Sequence, residues 1–272
     1  MNNKLENNEI DLKRTEDKYI LDKSQLQIVK HKIETYLPPY YPDKGVIYCI
    51  NKSIYFDSPD LTFLKQHLNK VDDRRKIRIR TYAPNGKWNN IYFIEIKSKS
   101  DGKSIKTRIE LTPKAFQEVM RTNQIPIDAD LIELNKDVPK DQLLQRAKLI
   151  NYTMLINKVS PVCEVTYKRY AYQEHESLRV TIDSEIKVRP LKMIKFNVIE
   201  DLKNQDLWDE LKEYGEKFYN QDNFLLEVKH EKNNIPQWLE DLIEKFDGEC
   251  QGFSKYVWGM FQIMSNTLKL LK

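Results

Sequence analysis

Residues 74–82 read RRKIRIRTY. Isoleucine alternates with cations, which is the two-residue period of a strand. Arg74, Lys76, Arg78, Arg80 and Tyr82 share one face; Arg75, Ile77, Ile79 and Thr81 share the other. Like charges along one face repel each other. What that face looks at decides the fold.

The pattern recurs. In RTEDKYIL, Arg14, Glu16 and Lys18 fall together. In FIEIKSK, Glu95, Lys97 and Lys99 oppose Ile94 and Ile96. In SIKTRIEL, Lys106, Arg108 and Glu110 oppose Ile105, Ile109 and Leu111. In LRVTIDSEI, Arg179, Asp183 and Glu185 oppose Val180, Ile182 and Ile186, and in FLLEVKHE, Glu227 and Lys229 oppose Leu226 and Val228. Eight runs read as strands: about 13–20, 45–56, 74–82, 91–99, 103–111, 161–172, 177–189 and 222–230. PNG at 84–86 and SDG at 100–102 are turn signals that tie the third, fourth and fifth into a meander. Seven amphipathic helices fall between and after them, beginning near residues 22, 58, 112, 140, 206, 235 and 254. SPDLTFLKQHL and TPKAFQEVM each open on a cap followed by proline. The mixture is α+β rather than doubly wound.

For one strand, such alternation fits a half-solvated antiparallel sheet. For the set, the helices need apolar surface, and the Ile and Val faces supply it, which turns the charged face away from the helices. Two arrangements satisfy this: an open sheet with one charged face, or a closed ring with its charges inside. Alternation does not choose between them. Crowded cations are costly unless paired, and Glu16, Glu95, Glu110 and Glu227 offset only part of the charge, so an extended polyanion would complete the neutralisation.

Bulk properties narrow the field. The 272 residues carry a net charge of only +4, so any strongly basic surface is local. The chain has three scattered cysteines and four histidines without metal-site spacing, and reads as a protein of a reducing compartment without structural metal. Its seven glycines form no G-x-G, which excludes dinucleotide and Walker-type phosphate loops. Phosphate, if bound, must be held by side chains. The N-terminus lacks an apolar signal core and YVWGMFQIM is too short to span a bilayer, so a cytoplasmic protein is expected. Residues 1–11 read as a disordered Asn-rich arm, and 12–272 as one domain.

The ordered motifs EDKYIL, SIYFDS, KIRIRTY, FIEIKSK with KSIKTR, TYKRYAY, LRVTIDSEI, LLEVKHE and FSKY resemble the VTC-type polyphosphate polymerase domain, within the triphosphate tunnel metalloenzymes, also called CYTH-like. The resemblance runs from about residue 14 to 260. It implies a closed eight-stranded antiparallel β-barrel, a tunnel, with helices packed outside. It implies transfer of the γ-phosphate of ATP to inorganic polyphosphate, with release of ADP and use of Mn²⁺ or Mg²⁺. It implies catalytic roles for Lys18, Arg78, Arg80, Lys97, Lys106, Arg169, Arg179 and Lys229. It implies phosphate contacts from Arg108, Tyr167, Ser254 and Lys255, and a metal ligand in Glu227.

Tyr55 and Asp57 read as structural, Asp183 as an arginine's partner, and Ser254 as a helix cap compatible with phosphate binding. Two departures stand out. Gly252 occupies a position that is basic in some relatives. The first strand carries Arg14-Thr-Glu16-Asp-Lys18 where tunnel triphosphatases carry Glu-x-Glu-x-Lys, which favours a polymerase. A tunnel triphosphatase and a non-catalytic polyphosphate-binding subunit remain as alternatives. A nucleic-acid barrel would want more aromatics on the basic strands, so no nucleic-acid partner is expected. The oligomeric state is not legible.

Overall fold

In a computed structural model of the chain, residues 14–40, 45–100, 103–173, 177–216, 223–231, 235–245 and 252–270 are described. The Asn-rich arm and the tip of the SDG turn lie outside them. All eight expected strands form: β1 (Arg14–Asp22), β2 (Cys49–Asp57), β3 (Arg74–Pro84), β4 (Tyr92–Ser100), β5 (Lys103–Leu111), β6 (Ser160–Gln173), β7 (Leu178–Pro190) and β8 (Asn223–Glu231). They make one antiparallel sheet in the order β1-β8-β7-β6-β2-β3-β4-β5. The expected meander is β3-β4-β5, with Arg78 opposite Glu95 and Glu95 opposite Arg108.

The sheet is strongly curled. Six strand spacings of about 4.8 Å would part β1 from β4 by roughly 29 Å if it were flat, beyond the reach of screened charges. Instead Lys97 of β4 helps to hold down the pKa of Glu16 on β1. The curl does not close. Among the described residues β1 pairs only with β8, and β5 only with β4. The closed barrel implied above is therefore not what forms. The charge rows fix which face points inward, whereas closure requires hydrogen bonds between the two edges, a separate property that face alternation does not encode.

The helices are α1 (Leu26–Tyr36), α2 (Thr62–Leu68), α3 (Pro113–Thr122), α4 (Ala129–Leu134), α5 (Lys140–Ile156), α6 (Phe196–Asn204), α7 (Leu207–Glu216), α8 (Gln237–Ile243) and α9 (Lys255–Leu270). On the convex side, Ile77, Ile79, Ile94, Ile96 and Ile109 pack under α3, α4 and α5. Val180, Ile182, Leu226 and Val228 pack under α1 and α8. These are the faces opposite the charges, as the alternation requires.

The helices are not all outside, however. The inward row of β6 runs Cys163, Val165, Tyr167, Arg169, apolar at one end and charged at the other. α9 settles on the apolar end, where a Cβ at Gly259 would come within 3.1 Å of Val188 and 3.3 Å of Val165. α7 follows it, and Gly215 leaves room for the Phe261 ring. One end of the concave face is thus floored by helix.

Asp57 ties that floor together. It is fully buried and accepts from the amides of Ser58, Phe63 and Leu64 and from the Tyr256 hydroxyl. It therefore caps α2 from a distance. The helix starts at Thr62, behind Leu61 in the left-handed region, and not at the proline of SPD. Thr112 and Pro113 cap α3 as the sequence indicates. Burial pushes the Asp57 carboxyl up to about 6 against these donors. Asp57→Ala should cost about 3 kcal/mol, since two helix amides and a phenol lose their acceptor. Urea unfolding measures it, and a loss below about 1 kcal/mol contradicts the role.

Candidate functional site: a cation-lined trough

Three carboxylate hubs organise the concave face. Glu95 has a side chain only 3% exposed. It takes Arg78 Nε at 2.7 Å from β3, and Lys106 Nζ at 3.0 Å and Arg108 Nε at 3.5 Å from β5, the two strands that flank its own. Asp183 is fully buried, binds Arg169 through Nε at 2.6 Å and Nη2 at 2.7 Å, and receives Lys255 Nζ at 2.6 Å. Glu227 lies 3.7 Å from Lys229 and 3.9 Å from Arg169. Lys229 also reaches Glu16 at 3.1 Å, and Lys18 pairs with Glu16.

Other cations lack a direct carboxylate contact among the described residues. Among the described residues Lys76, Arg80, Lys97 and Arg179 form no ion pair. Arg80 donates to Ser53 Oγ at 3.3 Å and to the Tyr167 hydroxyl at 3.2 Å. Lys76 donates to Ser254 Oγ at 2.8 Å. The Arg179 guanidinium lies 4.3 Å from the Tyr40 ring centroid.

Their electrostatics follow. Burial, then Lys97, Lys18, Arg74 and Arg78, push the Lys76 ammonium well below its ordinary value. Burial lowers Lys97 and Lys106 too, against Glu16 and Glu95 respectively. Burial works to raise the Glu227 carboxyl, but Arg169 and Lys229 hold it well below the usual range. Among the described residues two buried donors on β7 have no hydrogen-bond acceptor, Arg179 Nε and Thr181 Oγ1. A buried donor left unpaired is costly, and such donors beside surplus cations suit an anionic ligand.

His67 on α2 shares this field. Burial, Lys76, Arg74 and Lys18 push it down to about 3. An unfolded imidazole titrates near 6.5. Between those values only the unfolded chain holds the proton, so stability falls as the pH drops through the window. Relative to His67→Gln, wild type should lose roughly 1.4 kcal/mol per unit between pH 6 and 4. Urea midpoints of the two proteins at each pH measure it, and a constant difference contradicts a buried neutral ring.

All the candidate residues read from the sequence therefore meet on this face: Lys18, Arg78, Arg80, Lys97, Lys106, Arg108, Tyr167, Arg169, Arg179, Glu227, Lys229 and, from the start of α9, Ser254 and Lys255. Lys76 was not singled out, although its place in the row beside Arg78 and Arg80 contained the signal. Glu95 and Asp183 emerge as the hubs that orient the arginines. Tyr55, stacked on Tyr256 at 5.1 Å, serves the floor, as does Asp57. Gly252 has φ +84°, where a side chain is strained, and its carbonyl accepts from Tyr214. That backbone suits glycine rather than the basic residue of some relatives. Among the described residues no three His, Cys, Asp or Glu side chains cluster around a metal-sized space, and no helix is long and apolar enough to cross a membrane.

Comparison with known proteins gives the lineage. Subunit 4 of the vacuolar transporter chaperone complex of Schizosaccharomyces pombe is 30% identical over 139 residues, which are 48% of this chain and 19% of that protein. The chain thus spans about a fifth of that relative. Among solved structures, HpAC1 from Hippeastrum is 15% identical, covering 90% of this chain and 95% of that one at a TM-score of 0.47. The bh2851 protein of Bacillus halodurans is 12% identical, covering 92% and 96% at 0.48. Both scores are too low to assign the fold. The VTC domain model matches residues 13–264, and the chain belongs to the VTC domain family.

Proposed function

We propose that the trough carries the γ-phosphate of ATP to the end of an inorganic polyphosphate chain and releases ADP. The observation behind this reading is the buried surplus of cations with orphaned donors on one concave face. A polyanion of repeating phosphates supplies acceptors along its whole length. Phosphoryl transfer depends on positioning and charge neutralisation more than on covalent help.

The chemistry balances without a protein base. A terminal oxygen of the chain attacks the γ-phosphorus, the bond from that phosphorus to the β–γ bridging oxygen breaks, and ADP leaves with the electron pair. The attacking phosphate has a second pKa of about 6, so it is already anionic at neutral pH. Arg80 and Arg179, which have no carboxylate partner among the described residues, would present their guanidinium groups to phosphate oxygens, while Arg78 and Arg169 are held in place by Glu95 and Asp183. Lys76, Lys97, Lys106 and Lys229 act as point charges, and Arg108, Tyr167, Ser254 and Lys255 complete the phosphate contacts.

Glu227, with Glu16 beside it, would hold Mn²⁺ or Mg²⁺. A small divalent ion takes one or two carboxylates and fills its shell from phosphates and water, so the two residues fit. Such an ion neutralises charge on the bridging phosphates. The reading takes residues 12–272 as one domain working where ATP is supplied, in the cytoplasm.

Incubation of the purified protein with ATP, a short polyphosphate primer and Mn²⁺ should yield ADP and longer chains in equal phosphate amounts. Release of orthophosphate without lengthening would instead point to water as the acceptor. Tight polyphosphate binding without turnover would point to a binding subunit.

A further inference from the structure

β2 and β3 carry a second feature on their other side. Ser53, Tyr55, Arg78 and Arg80 face the trough, and the alternating Lys52, Ile54, Ile79 and Thr81 line a separate cleft of about 450 Å³. That size lies within the roughly 300–1,000 Å³ typical of small-molecule sites. Its base is aliphatic, from Ile54, Ile79, Met120 and Leu191. Its walls are aromatic: Tyr92 stacks on Phe116 with centroids 4.2 Å apart, and Trp88 stands 45% exposed. At the rim one carboxylate serves two cations, Glu164 lying 3.6 Å from Lys52 and 3.1 Å from Arg189. Lys52 Nζ also lies 4.8 Å from the Trp88 ring centroid.

An apolar base calls for an apolar body. Aromatic walls favour a flat ring that can stack against them. The single surplus positive charge at the rim calls for one anionic group, which Arg189 and Lys52 can reach without leaving Glu164 unpaired. We propose that this convex cleft is a second ligand site, separate from the trough, for a small molecule with a flat aromatic body and one anionic group. A nucleoside monophosphate and an aromatic acid share that chemistry.

The test uses the full chain with tripolyphosphate at saturation, so that the trough is filled. The probe is 8-anilinonaphthalene-1-sulfonate, a flat dye with one anionic group. One dye should bind per chain, with energy transfer from indole. Trp88→Ala, and separately Lys52→Ala with Arg189→Ala, should each weaken it about tenfold, the equivalent of about 1.4 kcal/mol. These side chains are at the surface, and unchanged thermal unfolding of each variant verifies the fold. Displacement of the dye by AMP identifies a nucleotide as the class bound, and displacement by indole-3-acetate an aromatic acid. Dye binding unchanged in the variants, lost on adding tripolyphosphate, or displaced by neither competitor overturns the proposal.

Discussion

Arg80→Ala should lower phosphate transfer by about 10²–10³-fold and leave the fold about as stable as before. The two halves of this result have one cause. Arg80 has hydrogen bonds only to Ser53 and Tyr167 and no carboxylate partner among the described residues. Burial and Arg78 work against its charge, while Tyr167, Tyr82 and Glu95 favour it and raise its pKa on balance. Its removal loses two hydrogen bonds to neutral hydroxyls, relieves the repulsion with Arg78 and orphans no anion. With phosphate present, the same side chain supplies two charge-assisted hydrogen bonds at about 1.5–3 kcal/mol each. Loss of about 3–4 kcal/mol from the transition state is the quoted fall in rate. Steady-state turnover and urea unfolding of the same preparation check both halves. Retained turnover removes Arg80 from the site. A large loss of stability shows that its charge is paired in a way this geometry lacks.

Asp183→Asn should do the reverse and cost about 3–5 kcal/mol of stability, because Arg169 and Lys255 lose the buried carboxylate they share, and Glu227, 3.9 Å from Arg169, is left to offset both. The carboxylate carries the bidentate Arg169 and the Lys255 ammonium while fully buried. Burial works to raise its pKa, and Arg169 and Lys255 hold it below the usual carboxylate range. The amide is neutral, and its single oxygen cannot replace both carboxylate oxygens that Arg169 and Lys255 use. Tripolyphosphate should restore part of the loss, since it returns negative charge beside both cations. The rise in Tm on adding tripolyphosphate should therefore be larger for Asp183→Asn than for wild type. Equal rises in the two proteins would separate Asp183 from the anion site.

These two residues also mark how far the sequence could be read. The Arg80 row was plain, because a strand's period of two assigns faces without knowledge of neighbours. The covering of the Ile faces by α3–α5 and by α1 and α8 followed from the same period. Asp183 read only as an arginine's partner, since its hub role depends on α9 delivering Lys255 from 72 positions along the chain. The open seam was illegible for a related reason, as edge pairing leaves no mark on face alternation. α9 on the concave side was hidden because Val165 and Val188 look like outward-packing residues until the row that also holds Arg169 is traced. α4, six residues long, and α6, which lacks a side-chain cap, gave too little periodicity or punctuation to be found. α2 was found but misplaced, because its cap, Asp57, lies outside the local window that capping rules scan.

The central claim is that the inward cations hold a chain of phosphates. A crystal structure of the protein soaked with tripolyphosphate tests it most directly. The account predicts phosphate oxygens within hydrogen-bond distance of Arg80, Arg179 and Thr181, with the Lys76 ammonium turned toward them. Tripolyphosphate bound on the convex side, or a trough in which those donors still lack acceptors at saturating ligand, would contradict it.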